Sequence, residues 1–332
     1  MTSDLRSAGR RAVALAALLC GLSGVLFQPP VAIAGNTDRP GIPEAMAAGS
    51  IVVPDATNEV RLRVYTDPSP GAARVFNTFD VVGYGETLVQ GPDGDGFRRW
   101  MAGSKAGASP HSVLVNGVGP ELAVGAGPAT IERAAGPGWH WVAFDAAGPY
   151  GRALTGYRRA VLFVEPDLFV IHDHLVGRDP ARVAMLLHPP AATRVDPVWG
   201  DLRLELPKAG LTIQTPAARN RTHVWERVDP AADLVFPGTV AVRMSATNTT
   251  PVIDLLTVVA VHRAGTRRDG ATKFLESNTA VGARIHRDGL PTLVAFRTGP
   301  MGGQASLTGF GFEGPVGVSV FRPKQRNVHP AN

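Results

Sequence analysis

Cysteine is almost missing from this chain: of 332 residues, only Cys20 is one, and it falls in the N-terminal stretch. The remainder is therefore no disulfide scaffold, thiol enzyme or cysteine-ligated zinc protein, and has to stand on its own apolar core. Charged residues are sparse, at 18%, and lysine is scarce among them. No segment interleaves Lys/Arg with aromatics, so a formal charge of +5 and a pI near 9.8 do not by themselves point to nucleic acid. Stretches fit for long helices are lacking too. The 38 Gly and 28 Pro are spread throughout, and proline is excluded from helix interiors. Nucleophile and nucleotide signatures are also missing. There is no Gly-x-Ser-x-Gly elbow and no Ser-x-x-Lys. Gly117-x-Gly119 and Gly125-x-Gly127 do not lie between a strand and a helix, as a dinucleotide loop requires. Asp93 and Asp95 in Gly91-Pro92-Asp93-Gly94-Asp95-Gly96 read as a turn rather than a calcium loop.

What is present begins with a leader. Arg6, Arg10 and Arg11 precede an uncharged apolar run over residues 12–27, and Ala32-Ile33-Ala34 supplies a small-x-small pattern ahead of Gly35. That order predicts a signal peptide cleaved after Ala34, and hence a secreted or periplasmic protein. The run is too short, and too interrupted by Gly21 and Gly24, to favour a membrane span. Leu19 is large where a lipoprotein signal wants a small residue before Cys20. Loss of residues 1–34 leaves 298 residues, takes the only cysteine away and lowers the formal charge from +5 to +3. The expected organisation is a signal peptide at 1–34, a short N-terminal segment at 35–50, one β-domain at 51–322 and a polar tail at 323–332. Residues 41–48 look briefly helical.

Strand patterns fill the rest. Arg61-Leu62-Arg63-Val64-Tyr65 and Leu202-Arg203-Leu204-Glu205-Leu206 alternate with period two, which lines one face with apolar side chains. Val161-Leu162-Phe163-Val164 and Leu168-Phe169-Val170-Ile171 flank Glu165-Pro166-Asp167, a hairpin with a short turn. Val113-Leu114-Val115 runs into Asn116-Gly117, the strongest turn signal in the chain. Residues 253–261 are almost wholly apolar, as in a central strand buried on both faces. Residues 293–296 and 316–321 close the series. Many short strands with regular turns predict an all-β fold, an antiparallel β-sandwich of two large stacked sheets.

Two segments carry a family resemblance. Ser109-Pro110-His111-Ser112-Val113-Leu114-Val115-Asn116-Gly117 is similar to a motif of the heparinase II/III polysaccharide lyases, small-x-His-Asn-Thr-hydrophobic-Val-Asp/Asn-Gly. Tyr157-Arg158-Arg159-Ala160-Val161-Leu162-Phe163-Val164-Glu165-Pro166-Asp167-Leu168-Phe169-Val170-Ile171-His172-Asp173 resembles the same family's Arg-x-Val-hydrophobic-Phe-Val-x-Pro-Asp-x-hydrophobic-Val-Val-x-Asp hairpin. Weaker likeness continues at residues 76–88, 184–188 and 255–258, so that it spans about residues 50 to 300. The resemblance implies the family's C-terminal β-sandwich and β-elimination on an acidic, uronate-containing polysaccharide. It departs in two places. Gly71, Ala73 and Val75 stand where such lyases carry His-x-His-x-Asp, and Gln90 stands where they carry Asp. The implied metal site thus retains only His111 and Gln90, too few ligands for a dication, so no cofactor is favoured over a divalent metal such as zinc. The lyases also place an α/α toroid before the sandwich to supply a catalytic Tyr, and residues 35–50 are too few to encode one. A separate toroid chain is therefore an implied partner.

Uronate lyases must neutralise a carboxylate, abstract the C5 proton and protonate the leaving oxygen. His111 is the candidate catalytic residue, expected at the mouth of a concave face, with a packed sheet-edge histidine as the equal alternative. Arg98, Arg99 and Trp100 suit a sugar ring bearing a carboxylate or sulfate, and are the candidate substrate-binding residues. An ordinary solvated loop is the competing reading. His172 and His174, two apart in a strand, share one face in a metal-like spacing, though a solvent face carrying two histidines is favoured. Asp173 reads as structural and Trp139 and Trp141 as core; His188 reads as a strand end before Pro189-Pro190, with a meeting with His111 across the sheet as the less favoured alternative. Two functions follow: an exported lyase-like enzyme, or a non-catalytic glycan- or protein-binding module of the cell envelope.

Overall fold

The alternating segments all become strands. A computed structural model describes residues 33–34, 50–54, 58–66, 77–91, 111–120, 131–151, 153–196, 201–218, 223–227, 242–246, 250–266, 269–287 and 289–320. Among them the only helical element is a 3-10 turn at Gly148–Tyr150. No helix there is long and apolar enough to cross a membrane. The expected helical stretch at 41–48 and the polar tail lie outside the described residues.

An eight-stranded antiparallel sheet forms the middle layer, in the order Arg194–Asp196, Asp201–Glu205, Ala209–Gln214, Val252–Arg263, Leu168–Gly177, Leu154–Val164, Trp139–Asp145, Ile131–Gly136. Its centre is the hairpin read from the sequence, with Leu168 opposite Val164 next to the turn at Glu165-Pro166-Asp167. Alternation sends successive side chains to opposite faces. Val161, Phe163, Phe169, Ile171, Leu255 and Val259 enter one core. Ala160, Leu162, Val170, Leu256, Val258 and Ala260 enter another. The strand Val252–Arg263 is buried on both sides, which is why its sequence reads as a nearly unbroken apolar run.

Two four-stranded sheets cover the first face. One runs Ser50–Val53, Val60–Tyr65, Phe79–Gly83, Glu86–Val89; the other His223–Arg227, Val242–Ala246, Val183–Leu187, Ser112–Val115. Val60, Leu62 and Val64 point inward from the segment whose alternation was visible. Asn116 and Gly117 both take positive φ, 53° and 83°, and Val115 and Val118 bridge across them. That is the type I′ geometry that Asn-Gly favours. The second face is covered by Val316–Val320, Leu290–Arg297, Ala280–Arg287 and Asp269–Glu276, to which Ile33–Ala34, the last two residues of the expected leader, add a short edge strand beside Val316–Val320, making a five-stranded sheet in the full chain. Trp139 and Trp141 lie in this second core, as read. A small hairpin, Ala305–Leu307 with Phe310–Phe312, packs on the outside of the five-stranded sheet through Leu293 and Ala295. The molecule is a β-sandwich as expected, with its largest sheet covered on both faces rather than one.

Candidate functional site

His111 sits immediately before the strand Ser112–Val115, with φ 51°. That strand pairs with Val183–Leu187, Ser112 opposite Leu186, which brings His188 alongside. The main-chain N–H of His188 donates to His111 Nδ1 at 3.2 Å. His111 Nε2 lies 2.8 Å from the carbonyl oxygen of Gln90. A nitrogen facing a carbonyl has to carry the proton, and one receiving an N–H has to lack it, so these partners assign the neutral Nε2–H tautomer. The Phe79 ring stands 5.6 Å away and the His188 ring 5.9 Å. The residue is 0% exposed. Burial, reinforced by His188 and opposed by the Gln90 carbonyl, pushes the imidazole pKa down from 6.5 to about 3.

This corrects the expectation of an imidazole at an open mouth. His111 and Gln90 do meet, but through the Gln90 main chain, while the Gln90 side chain is exposed. Both imidazole nitrogens are already engaged by backbone, and neither offers a lone pair to an ion or a substrate. Metal ligation by these two residues therefore does not fit the arrangement. Arg98, Arg99 and Trp100, and likewise Gly71, Ala73, Val75, Asp93 and Asp95, lie outside the described residues.

The second polar group is a buried network beneath the same face. Arg159 Nε and Nη2 reach Asp173 Oδ1 and Oδ2 at 2.6 and 3.0 Å, a bidentate pair with both side chains 0% exposed. Tyr157 Oη donates to Asp173 Oδ1 at 2.8 Å, and Asn77 Nδ2 donates to Tyr157 Oη at 2.8 Å. Arg159 Nη1 also donates to the carbonyl of Asn77, a residue in the left-handed region at φ 63°. Asn tolerates that conformation better than other non-glycine residues. Burial drives the Tyr157 and Tyr150 hydroxyls well above their usual pKa. Desolvation opposes the Arg159 charge, but Asp173 outweighs it and keeps the guanidinium firmly protonated. The network holds the hairpin to the turn that opens Phe79–Gly83; it offers no group to solvent.

A third group lies on the opposite face of the eight-stranded sheet. His172 and His174 alternate to the same side of Leu168–Gly177, and Asp254 stands directly across from His174 on Val252–Arg263. Asp254 Oδ1 lies 2.8 Å from His172 Nε2 and 2.8 Å from His174 Nδ1. Burial works to raise the Asp254 pKa, but the hydrogen bonds and charges of the two imidazoles outweigh it and hold the carboxyl well below the usual range. The same hydrogen bond raises the pKa of His174, against partial burial. The expected solvent face is corrected for His172: Phe296 of the five-stranded sheet covers it at 4.8 Å, leaving it 5% exposed. His174 is more open and borders a shallow cleft of about 310 Å³, with Glu132, Asp145 and Arg158 around it. Arg158 pairs with Glu132 at 2.7 Å and lies over the Trp141 ring. Asp254 was missed in the sequence, yet it left a signal as the one carboxylate interrupting an apolar strand.

Comparison with known proteins finds likeness in architecture alone. No family model matches the sequence, and no curated protein matches it. Among solved structures, the heparan sulfate lyase HepC from Pedobacter heparinus superposes with a TM-score of 0.57 at 11% identity, over 76% of this chain and 42% of that one. A heparinase III structure gives 0.56 at 14% identity, over 75% and 41%. The BT4657 gene product, also a heparinase III, gives 0.53 at 12%, over 75% and 40%. This chain thus spans about two fifths of the length of the lyases it resembles, and shares with them a heparinase-like β-sandwich fold.

Proposed function

We propose that this protein is an exported β-sandwich that binds acidic, uronate-containing polysaccharide without cleaving it by itself. The observation that carries this reading is the closed state of His111. The imidazole at the lyase motif has no exposed surface, is held neutral, and spends both nitrogens on the main chain. β-Elimination also needs a proton donor within reach of the sugar. Of the four Tyr, Tyr65, Tyr150 and Tyr157 are buried, which leaves only Tyr84, half-buried with Arg263 over its ring at 4.4 Å, partly open to solvent. The architecture shared with a heparan sulfate lyase supports a glycan ligand, and the basic leader with Ala32-Ile33-Ala34 supports export. Arg98, Arg99 and Trp100 remain the proposed sugar-contacting residues on chemical grounds.

The test is to incubate the purified protein with heparin, alginate and hyaluronan, following absorbance of the unsaturated uronate while measuring retention on the immobilised polymers at rising salt. No product even at high protein load, with retention that weakens as salt screens the charges, is the expected outcome. Product formed by this chain alone would overturn the reading. A second reading, a split lyase, is favoured by one observation: the solved lyases are more than twice as long as the part this chain matches. A separate α/α-toroid chain would then supply the catalytic Tyr, and cleavage would appear only on mixing the two.

A further inference from the structure

We propose that His172, His174 and Asp254 form a binding site for one borderline divalent transition-metal ion, of which Zn²⁺ is the type. The site is distinct from the position of His111, lying on the other face of the eight-stranded sheet, and does not depend on the polysaccharide reading. Its construction is simple. Two histidines two apart on one strand share a face, and the facing strand places a carboxylate in register with one of them. The donor atoms of all three residues lie within 4.8 Å of one another. Two imidazoles and a carboxylate suit a zinc-class ion, whereas calcium and magnesium prefer a shell of oxygen atoms.

The competing account is a carboxylate hydrogen-bonded to two histidines and nothing more. Three observations favour the ion. The two nitrogens converge on a single oxygen, Asp254 Oδ1, rather than dividing between the two. The adjustment required is modest: ligand atoms around a tetrahedral zinc with bonds of about 2.0–2.1 Å stand roughly 3.3 Å apart. The two carboxylate–imidazole separations are 2.8 Å and all three donor atoms lie within 4.8 Å of one another, so the Asp254 carboxylate has to retreat by about 0.5 Å, and the two imidazole nitrogens to approach each other by at most about 1.5 Å, as the ion replaces the bridging protons. Finally, the surroundings are graded as an entry path requires. Phe296 closes the site over His172, whose side chain is 7% exposed, while that of His174 is 28% exposed and borders the cleft beside Arg158. Three protein ligands leave a fourth position for water or an anionic oxygen arriving from that side.

The test uses the full chain without an affinity tag, stripped by chelator. It is titrated calorimetrically with ZnCl₂, and the metal retained after gel filtration is counted per chain. The expected result is close to one ion per chain, with affinity reduced roughly tenfold or more in Asp254→Asn and in His174→Gln. His286→Ala, which removes an exposed histidine elsewhere, serves as the control and keeps the wild-type stoichiometry. Because either cluster variant can weaken the sheet, ring-nitrogen NMR of the wild-type protein gives an independent readout. Zn²⁺ should shift the His172 and His174 resonances and leave that of His111 in place. Failure to bind zinc, binding unchanged by both cluster substitutions, or shifts confined to other histidines would each overturn the proposal.

Discussion

At the scale of single residues, the same imidazole type is used in opposite ways on the two faces of the central sheet. His174 is stabilised as a cation by its carboxylate partner, while His111 is held neutral by burial. For His111 the consequence for stability has a definite sign. Its folded-state pKa, about 3, lies below its ordinary value of 6.5, so the unfolded chain takes up the proton first on acidification. The contribution is fully present above pH 6.5 and is lost as pH falls towards 3, by up to roughly 5 kcal/mol if 1.36 kcal/mol accompanies each unit. The urea midpoint of the wild-type protein should therefore fall between pH 7 and pH 4. In His111→Gln the side chain can still donate towards the Gln90 carbonyl but no longer titrates. That variant should be less stable at pH 7 by about 1–3 kcal/mol and fall less steeply with acid. Parallel pH profiles for the two proteins would show that His111 is not the titrating group. The sequence revealed which residue this was, because it lies in a recognisable motif. It hid the burial, since the covering groups, Phe79, Gln90 and His188, approach from distant strands.

At the scale of elements, the hairpin Leu154–Val164 with Leu168–Gly177 was the most legible part of the chain. Its period-two pattern and short turn are local properties, and they fix the register that places Arg159 opposite Asp173. The pair occupies adjoining strands in the same sheet, so its closeness follows from that register alone. Asp254 was less accessible to such reading: it is 80 residues from His174, and only the long-range pairing of two strands brings them together. The Arg159–Asp173 pair makes a sharp test of what buried polar groups contribute. Replacing Arg159 by Met leaves a carboxylate at 0% exposure without its counter-charge, which should cost about 3–5 kcal/mol. Exchanging both, Arg159→Met with Asp173→Leu, removes the uncompensated charge and should recover a substantial part of that loss. Chemical denaturation of the two single variants and the double variant would settle the matter. A double variant no more stable than Arg159→Met alone would mean that Tyr157 and Asn77, rather than the missing counter-charge, set the energetics.

At the scale of the whole molecule, the eight-stranded sheet is shared by two cores, and this makes the layers mutually dependent. Leu162 belongs to the core beneath the five-stranded sheet, while Phe163 and Phe169 belong to the core beneath the two four-stranded sheets. Residues 162 and 163 are neighbours in one strand, so neither core can open without exposing apolar side chains held by the same backbone. Unfolding is then expected to be a single event despite the number of sheets. Leu162→Ala and Phe169→Ala, on opposite faces, should each destabilise that one event by about 2–5 kcal/mol, the usual range for such cavities. Tryptophan emission and far-ultraviolet circular dichroism report on it independently. Trp225 lies in the first core, and Trp139 and Trp141 lie in the second. Coincident transitions in wild type and both variants, displaced together to lower denaturant, are the expected pattern. A transition that splits in Leu162→Ala, with emission changing before the strand signal is lost, would show that the five-stranded sheet detaches as a separate unit and that the middle layer does not couple the two cores.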